Sequence, residues 1–296
     1  MQIYSIFNLI KNAFSNHQNW DLAWKDPTPK KEYDVVIIGG GGHGLATAYY
    51  LAKEHNITNV AIIEKGWIGG GNVGRNTTII RSNYMHDDNA LFSEFGMDLW
   101  RKMSQDLNYN VMFSPRGIIN LAHSDAQMNV YARRGNSMRL NGIDAVLLNR
   151  EEVKEIIPMA DFSENVRFPI FGGLMQPSAG TARHDAVAWG YARQADSMGV
   201  DIIQNCEVTG FDISAGKING VRTSRGDIKV KKIGLCVAGS TNALVEKLNM
   251  TLPVETHLLQ ACVSEPVKPV LDSVVTFGAG HFYISQSDKG EMVMGG

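Results

Sequence analysis

The sequence predicts an α/β chain in which a Rossmann-like dinucleotide-binding domain is interleaved with a second, α+β domain. Three observations carry this. An apolar run, Val35–Ile38, enters Gly39-x-Gly41-x-x-Gly44, and a helix-like stretch follows at once. A second apolar run, Val60–Ile63, ends on an acid, Glu64. The strand-like runs and the Gly239-Ser240 turn that would complete the same sheet appear only after position 200. Strand, glycine turn, helix, strand and acid is the setting in which the glycine pattern becomes specific. The late return to the sheet means that other structure has been inserted. The expected division is an N-terminal arm over 1–32, first-domain segments over 33–110 and 181–250, and second-domain segments over 111–180 and 251–296.

Each part of the fingerprint has a physical task. Gly39 allows the tight turn, Gly41 lets the backbone approach a pyrophosphate, and Gly44 lets the helix pack close to the sheet. Free N–H groups at the helix start then face the phosphates. Glu64 can accept from ribose hydroxyls. His43, inside the fingerprint, either faces the ligand or covers the phosphates. A second glycine cluster, Gly66–Gly74 (GWIGGGNVG), precedes Arg75-Asn76-Thr77. Its backbone N–H groups can wrap the pyrophosphate and flavin, with Arg75 supplying charge.

The remaining elements follow in order. In the arm, Ile3, Phe7, Ile10 and Phe14 lie at helical spacing, and Trp20 and Trp24 repeat it before Pro27 and Pro29. The arm either packs on its own domain or docks on a partner subunit. Helices are expected over Asp88–Leu107, Ala126–Asn141 and Arg150–Ile157, with a strand over Arg116–Leu121. Gly172–Gly180 reads as loop. Asp185–Met198 shows a small apolar face and ends at Gly199. Strand runs at Asp201–Ile213, Lys217–Thr223 and Asp227–Val230 form a meander across glycine turns. Ile233–Ala238 reads as a separate buried strand, and Lys229–Lys232 as a solvated strand edge. His257 and His281 lie in strand-like contexts.

The 296 residues carry 28 Lys plus Arg against 30 Asp plus Glu, a net charge of −2. This offers nothing for nucleic acid, and no block of like charge marks an interaction tail. The three cysteines, Cys206, Cys236 and Cys262, are far apart and make no CxxC or Cys/His cluster. A metal site is not expected, and each reads as a buried thiol in a reducing compartment. Val35–Ala52 is too rich in glycine for a membrane span, and no secretory signal is evident. The expectation is a soluble cytoplasmic protein with no nucleic-acid or membrane partner.

GGGGHGLATAYYLAKEHNITNVAIIEKGWIGGGNVGRNTTIIRSNY, SQDLNYNVMFS and ARHDAVAWGYARQADSMGVDIIQNCEVTG closely resemble the D-amino-acid-oxidase-like flavoproteins, and within them the beta subunits of heterotetrameric sarcosine oxidases. The resemblance runs from the arm to the last residue. It implies an FAD-binding domain of the D-amino-acid-oxidase (GR2) type beside a substrate domain. It also implies noncovalent FAD and a covalent FMN, with sarcosine yielding a hydride to FAD and electrons passing on through FMN to O2. The products are then glycine, hydrogen peroxide and formaldehyde, or methylene-tetrahydrofolate when folate is present. The implied partners are an alpha subunit holding NAD and tetrahydrofolate, and small gamma and delta subunits.

Residue by residue, the resemblance places FAD on Gly39, Gly41, His43, Gly44, Glu64, Lys65, Arg75, Asn76 and Thr77, with Val208 beside the adenine. The FMN-linked histidine aligns with His184. Alone, a histidine just before a helix is more commonly a capping or surface group. Its neutral ring is also a nucleophile that can attack a flavin methyl carbon, with Arg183 nearby to stabilise negative charge. Arg81 and Tyr84 can reach a carboxylate, although an arginine paired with an acid is the commoner arrangement.

Family members continue past Glu291–Gly296, where this chain stops in mid-pattern. The resemblance therefore implies a C-terminally truncated chain whose substrate-contacting residues lie beyond Gly296. Three alternatives stay open: a single-flavin amine or amino-acid oxidoreductase of the dimethylglycine type, a non-catalytic flavin-binding fragment, and, more distantly, a nicotinamide dehydrogenase.

Overall fold

The structure is a computed structural model that describes residues 6–18, 22–163, 165–278 and 280–296. The chain forms two compact units. The first comprises 1–76, 105–110 and 184–256, and the second 77–104, 111–183 and 257–296.

The first unit is built on a six-stranded sheet in the order Asp201–Ile203, Val60–Ile63, Glu32–Ile38, Gly226–Leu235, Lys217–Thr223, Val208–Ser214. The first four are parallel, and the last two add an antiparallel meander. Val60–Ile63 is buried at every position, as a parallel strand covered on both faces must be. The helices Gly42–His55 and His184–Ser197 pack on one another, with the Tyr49 and Tyr191 rings edge to face at 5.4 Å.

The second unit holds a seven-stranded mixed sheet. Ile118–Ala122 lies between Val274–Phe277, its parallel partner, and Gly172–Gln176, its antiparallel one. Its core joins Ile119, Leu121, Leu148, Val153 and Val275.

Several expectations are corrected. Residues 77–104 belong with the second unit, because Ala90 is buried with Met138, Ile143, Ala145 and Leu174. Gly172–Gln176 is a strand and not a loop. It is flanked by Ile118–Ala122 and Val146–Asn149. A Cβ on Gly172 would run into the Leu148 carbonyl, and one on Gly173 would lie 3.0 Å from the Asn120 carbonyl. These glycines mark close approach of neighbouring strands, which sequence reading confuses with loop.

Asp201–Ile213 divides into two strands around Asn205, which has φ +49°. Ile233 and its neighbours continue the strand Gly226–Leu235. Lys229–Lys232 therefore lies on an interior strand, with Val230 buried and Lys231 paired to Asp34 at 2.6 Å. Cys206 is buried, Cys236 half-buried and Cys262 exposed. His257 is exposed and outside any strand, and His281 sits at φ +49° before the strand Phe282–Gln286.

The helix Ile6–Phe14 buries none of its residues. Ile3 and Trp20 lie outside the described residues. Among the described residues no helix is long and apolar enough to cross a membrane.

Candidate functional site

The strand Glu32–Ile38 ends at Gly39, whose φ of +108° excludes ordinary L residues. The Gly39 amide donates to the Ile63 carbonyl at 2.8 Å, and a Cβ here would run into the Cys236 carbonyl. The chain turns at once into the helix Gly42–His55. Its N-cap, Gly41, has no side-chain cap, and its first turn has no acid. The helix start therefore presents N–H groups and the positive end of its dipole to an anion. Only a Val73 methyl, at 3.7 Å, comes near the position a Gly41 Cβ would take, so a phosphate can reach the backbone there. Gly44 is buried, and a Cβ on it would strike the Gly39 carbonyl. It seats the helix on the turn and does not line the cavity.

Glu64 ties the two glycine loops together. One carboxylate oxygen accepts the Gly40 N–H and the other the Gly66 N–H, each at 2.8 Å. The pairing of Val60–Ile63 with Asp201–Ile203 continues through Glu64 N–H to the Ile203 carbonyl and Cys206 N–H to the Glu64 carbonyl, both 2.9 Å. A carboxylate offers about four acceptor positions, so Glu64 keeps two for a ligand's hydroxyls. The loop is closed further on by Gly74 N–H to the Gly69 carbonyl at 2.8 Å and Arg75 Nη1 to the Gly70 carbonyl at 3.0 Å.

These elements enclose a cavity of about 1230 Å³ within the first unit. That exceeds the roughly 300–1,000 Å³ typical of small-ligand sites and suits a dinucleotide. Gly39, Gly41, His43, Glu64, Lys65, Arg75 and Val208 all line it. Asn76 and Thr77 lie outside the lining, and Thr77 falls in the second unit. The opposite wall, Cys236–Ser240 with Lys247, was missed from sequence. Its available signal was the small-residue turn at Gly239-Ser240, which follows a strand just as the fingerprint does. Burial pushes the Cys236 thiol up, leaving it protonated and unreactive near neutrality.

His184 is half-buried at the first position of the helix His184–Ser197. Arg183 is engaged by Asp288 at 3.4 Å, so its charge is already shared. In the second unit, Arg81 stacks on the Tyr84 ring, 4.4 Å from its centroid, and donates to Asn83 Oδ1 at 2.6 Å. Arg134 donates to the Asn83 carbonyl, and its Nε is buried without a partner. Burial and the neighbouring Arg81 charge lower the Arg134 pKa. Among the described residues neither arginine makes an ion pair, so Arg81 departs from the commoner arrangement expected for it.

A family model described as FAD dependent oxidoreductase matches residues 34–296. The chain belongs to the FAD-dependent oxidoreductase family. It is 59% identical over 293 residues to sarcosine oxidase subunit beta of Rhizobium meliloti (strain 1021), covering 99% of this chain and 70% of that one. The corresponding subunit of Rhodobacter capsulatus is 52% identical over 296 residues, covering 100% and 71%. Among solved structures, L-proline dehydrogenase from P. horikoshii superposes with a TM-score of 0.81 at 26% identity, over 90% of this chain and 70% of that one. Glycine oxidase from Geobacillus kaustophilus shares the fold, with a TM-score of 0.79 at 20% identity over 90% and 71%. Membership makes the chain a flavin-dependent oxidoreductase. The turn, the uncapped helix and Glu64 fit FAD by shape and charge.

Proposed function

We propose that the chain is the FAD-carrying, amine-oxidising subunit of a multisubunit sarcosine oxidase. The observation that carries this reading is the cradle made by the Gly39 turn, the uncapped helix and Glu64, in a chain 51–59% identical to sarcosine oxidase beta subunits. Bound there, FAD supplies a hydride acceptor for the carbon beside an amine nitrogen.

The protein's own task is to hold and orient. The helix N-terminus, with Lys65 and Arg75, takes the pyrophosphate charge. The free acceptor positions of Glu64 take ribose hydroxyls, and Val208 backs the adenine. His43 covers the phosphates, while Asn76 and Thr77 carry the loop onward. Arg81 and Arg134 suit a substrate carboxylate, because a planar guanidinium grips one in two parallel hydrogen bonds and an anion supplies the counter-charge the pair lacks. Sarcosine has one carboxylate and one secondary amine.

The finer reading adds FMN linked covalently through His184, at the first position of the helix His184–Ser197. It also adds an alpha subunit with NAD and tetrahydrofolate, gamma and delta subunits, and a cytoplasmic location. Its products are glycine, hydrogen peroxide and formaldehyde or methylene-tetrahydrofolate.

The test is co-expression with an alpha-type partner, acid precipitation and peptide mass analysis. FMN is expected on the His184 peptide, with free FAD in the supernatant. His184→Ala should abolish the covalent flavin and leave FAD bound, and a covalent flavin persisting in that variant overturns the assignment. Sarcosine should bleach the flavin absorbance anaerobically. A flavin that no N-methyl amine bleaches leaves a non-catalytic flavin-binding chain.

A further inference from the structure

The second glycine loop is held from outside by a chain of contacts that begins in the N-terminal arm. Ile68, inside the loop, donates its N–H to Gln204 Oε1 at 2.9 Å. The Gln204 N–H in turn donates to Asp26 Oδ1 at 3.1 Å. Arg225, in the turn between the meander strands Lys217–Thr223 and Gly226–Leu235, closes the arrangement. Its Nη1 donates to Asp26 Oδ1 at 3.0 Å and to the Gln204 carbonyl at 3.1 Å, and its Nη2 to the Pro27 carbonyl at 3.4 Å. Both backbone groups of Gln204 are thus gripped, its carbonyl by Arg225 and its N–H by Asp26. The arm on either side is fastened as well, by Lys25 N–H to Asp196 Oδ1 at 3.0 Å and by Lys30 Nζ to Asp201 Oδ2 at 2.7 Å.

We infer that Asp26 is a positioning residue for the FAD loop: with Arg225 it locks the Gln204 backbone, and the Gln204 side chain then holds buried Ile68, on either side of which Trp67 and Gly70 line the cavity. The Glu64 clamp and the Asn205 N–H, which donates to the Gly66 carbonyl at 2.8 Å, fix the entrance of this loop. Past Ile68 the loop's backbone is tied again, by Gly69 N–H to the Gly40 carbonyl at 3.4 Å and Gly74 N–H to the Gly69 carbonyl at 2.8 Å, so Gln204 supplies the side-chain contact between these two anchored stretches. The arm is therefore part of the cofactor site although Asp26 does not line the cavity. A side chain that fixes another group's backbone gives precision to residues that touch the ligand.

The affinity part of the test rests on the FAD reading. The proteolysis part does not, because Lys65 and Arg75 place trypsin sites at the two ends of the loop, and both are exposed. Purified full-length apoprotein is digested briefly, and cutting at Lys65 and Arg75 is compared with cutting at exposed Arg167 in the second unit.

Gln204→Leu, which keeps bulk and loses the acceptor, should speed cutting at the loop about fivefold and weaken FAD binding similarly, as loss of one hydrogen bond does. Asp26→Ala and Arg225→Met should each act about two- to threefold, the scale of an exposed ion pair. Combined with Gln204→Leu they should add nothing, because they act through it. Gln204→Glu keeps an acceptor and should restore wild-type cutting. Wild-type cutting and FAD affinity in Asp26→Ala overturn the inference, and so does an equal rise at Arg167, which reports general loosening. If the wild-type chain binds no FAD while loop cutting still follows Asp26 and Gln204, the brace stands and the flavin reading falls.

Discussion

The two units handle charge in opposite ways. In the first, the acid at the centre of the site is already satisfied: Glu64 accepts N–H groups from both glycine loops. In the second, among the described residues, Arg81 and Arg134 donate to the neutral oxygens of Asn83 and make no ion pair, and Arg134 Nε is buried without a partner. A buried charge without its counterpart is expensive. The cofactor site is thus tied together by the protein's own hydrogen bonds. The arginine pair keeps a donor that an anion can engage, which makes it the place to test for substrate recognition.

The strongest way to break the first half of this comparison is Gly44→Val. The added atoms enter the space of the Gly39 carbonyl, so the helix must lift off the turn. A loss of at least about 3 kcal/mol in stability is expected, together with loss of FAD on gel filtration. Retention of FAD at the wild-type level would show that the turn is not assembled as described.

Arg134→Met sharpens the second half. If the arginine pair binds the substrate carboxylate, the KM for sarcosine should rise about tenfold, the value of roughly 1.4 kcal/mol of binding. The melting temperature should hold or rise, because a half-buried charge with no acid partner among the described residues has been removed. An unchanged KM would return Arg134 to a structural role, and a sharp fall in melting temperature would show that its charge is compensated after all.

The smallest effect is expected at an exposed pair, Asp34 with Lys231. The hydrogen bond from Lys231 holds the Asp34 carboxyl below its ordinary value. A depressed folded-state pKa contributes stability above the unfolded pKa and loses it as pH falls through the folded one. Asp34→Asn should therefore lower the melting temperature slightly at neutral pH and leave it unchanged in strong acid. A difference that persists in acid would place the effect in packing.

How much was legible follows the range of the contacts involved. Gly39, Gly41 and Glu64 were readable because a turn, a helix start and the end of the next strand lie within one βαβ unit, where local order reports spatial order. The packing task of Gly44 was readable too, since the third glycine of the fingerprint sits where the helix must approach the sheet. The strand Gly172–Gln176 was misread because a glycine needed for close strand approach looks like a glycine needed for a loop. The opposite cavity wall at Cys236–Ser240 and the Asp26–Gln204–Ile68 brace join positions far apart in the chain, and no local pattern marks them.

By itself, the sequence determined the nucleotide-binding unit: continuous apolar runs, glycines where the backbone must turn or be approached, and an acid at the strand end are short-range requirements written directly into residue order. Only the tertiary structure decided that residues 77–104 join the second unit, that Glu64 clamps two loops, and that Arg81 and Arg134 meet on Asn83. These outcomes depend on which distant side chains meet after packing, and on the desolvation that burial then imposes.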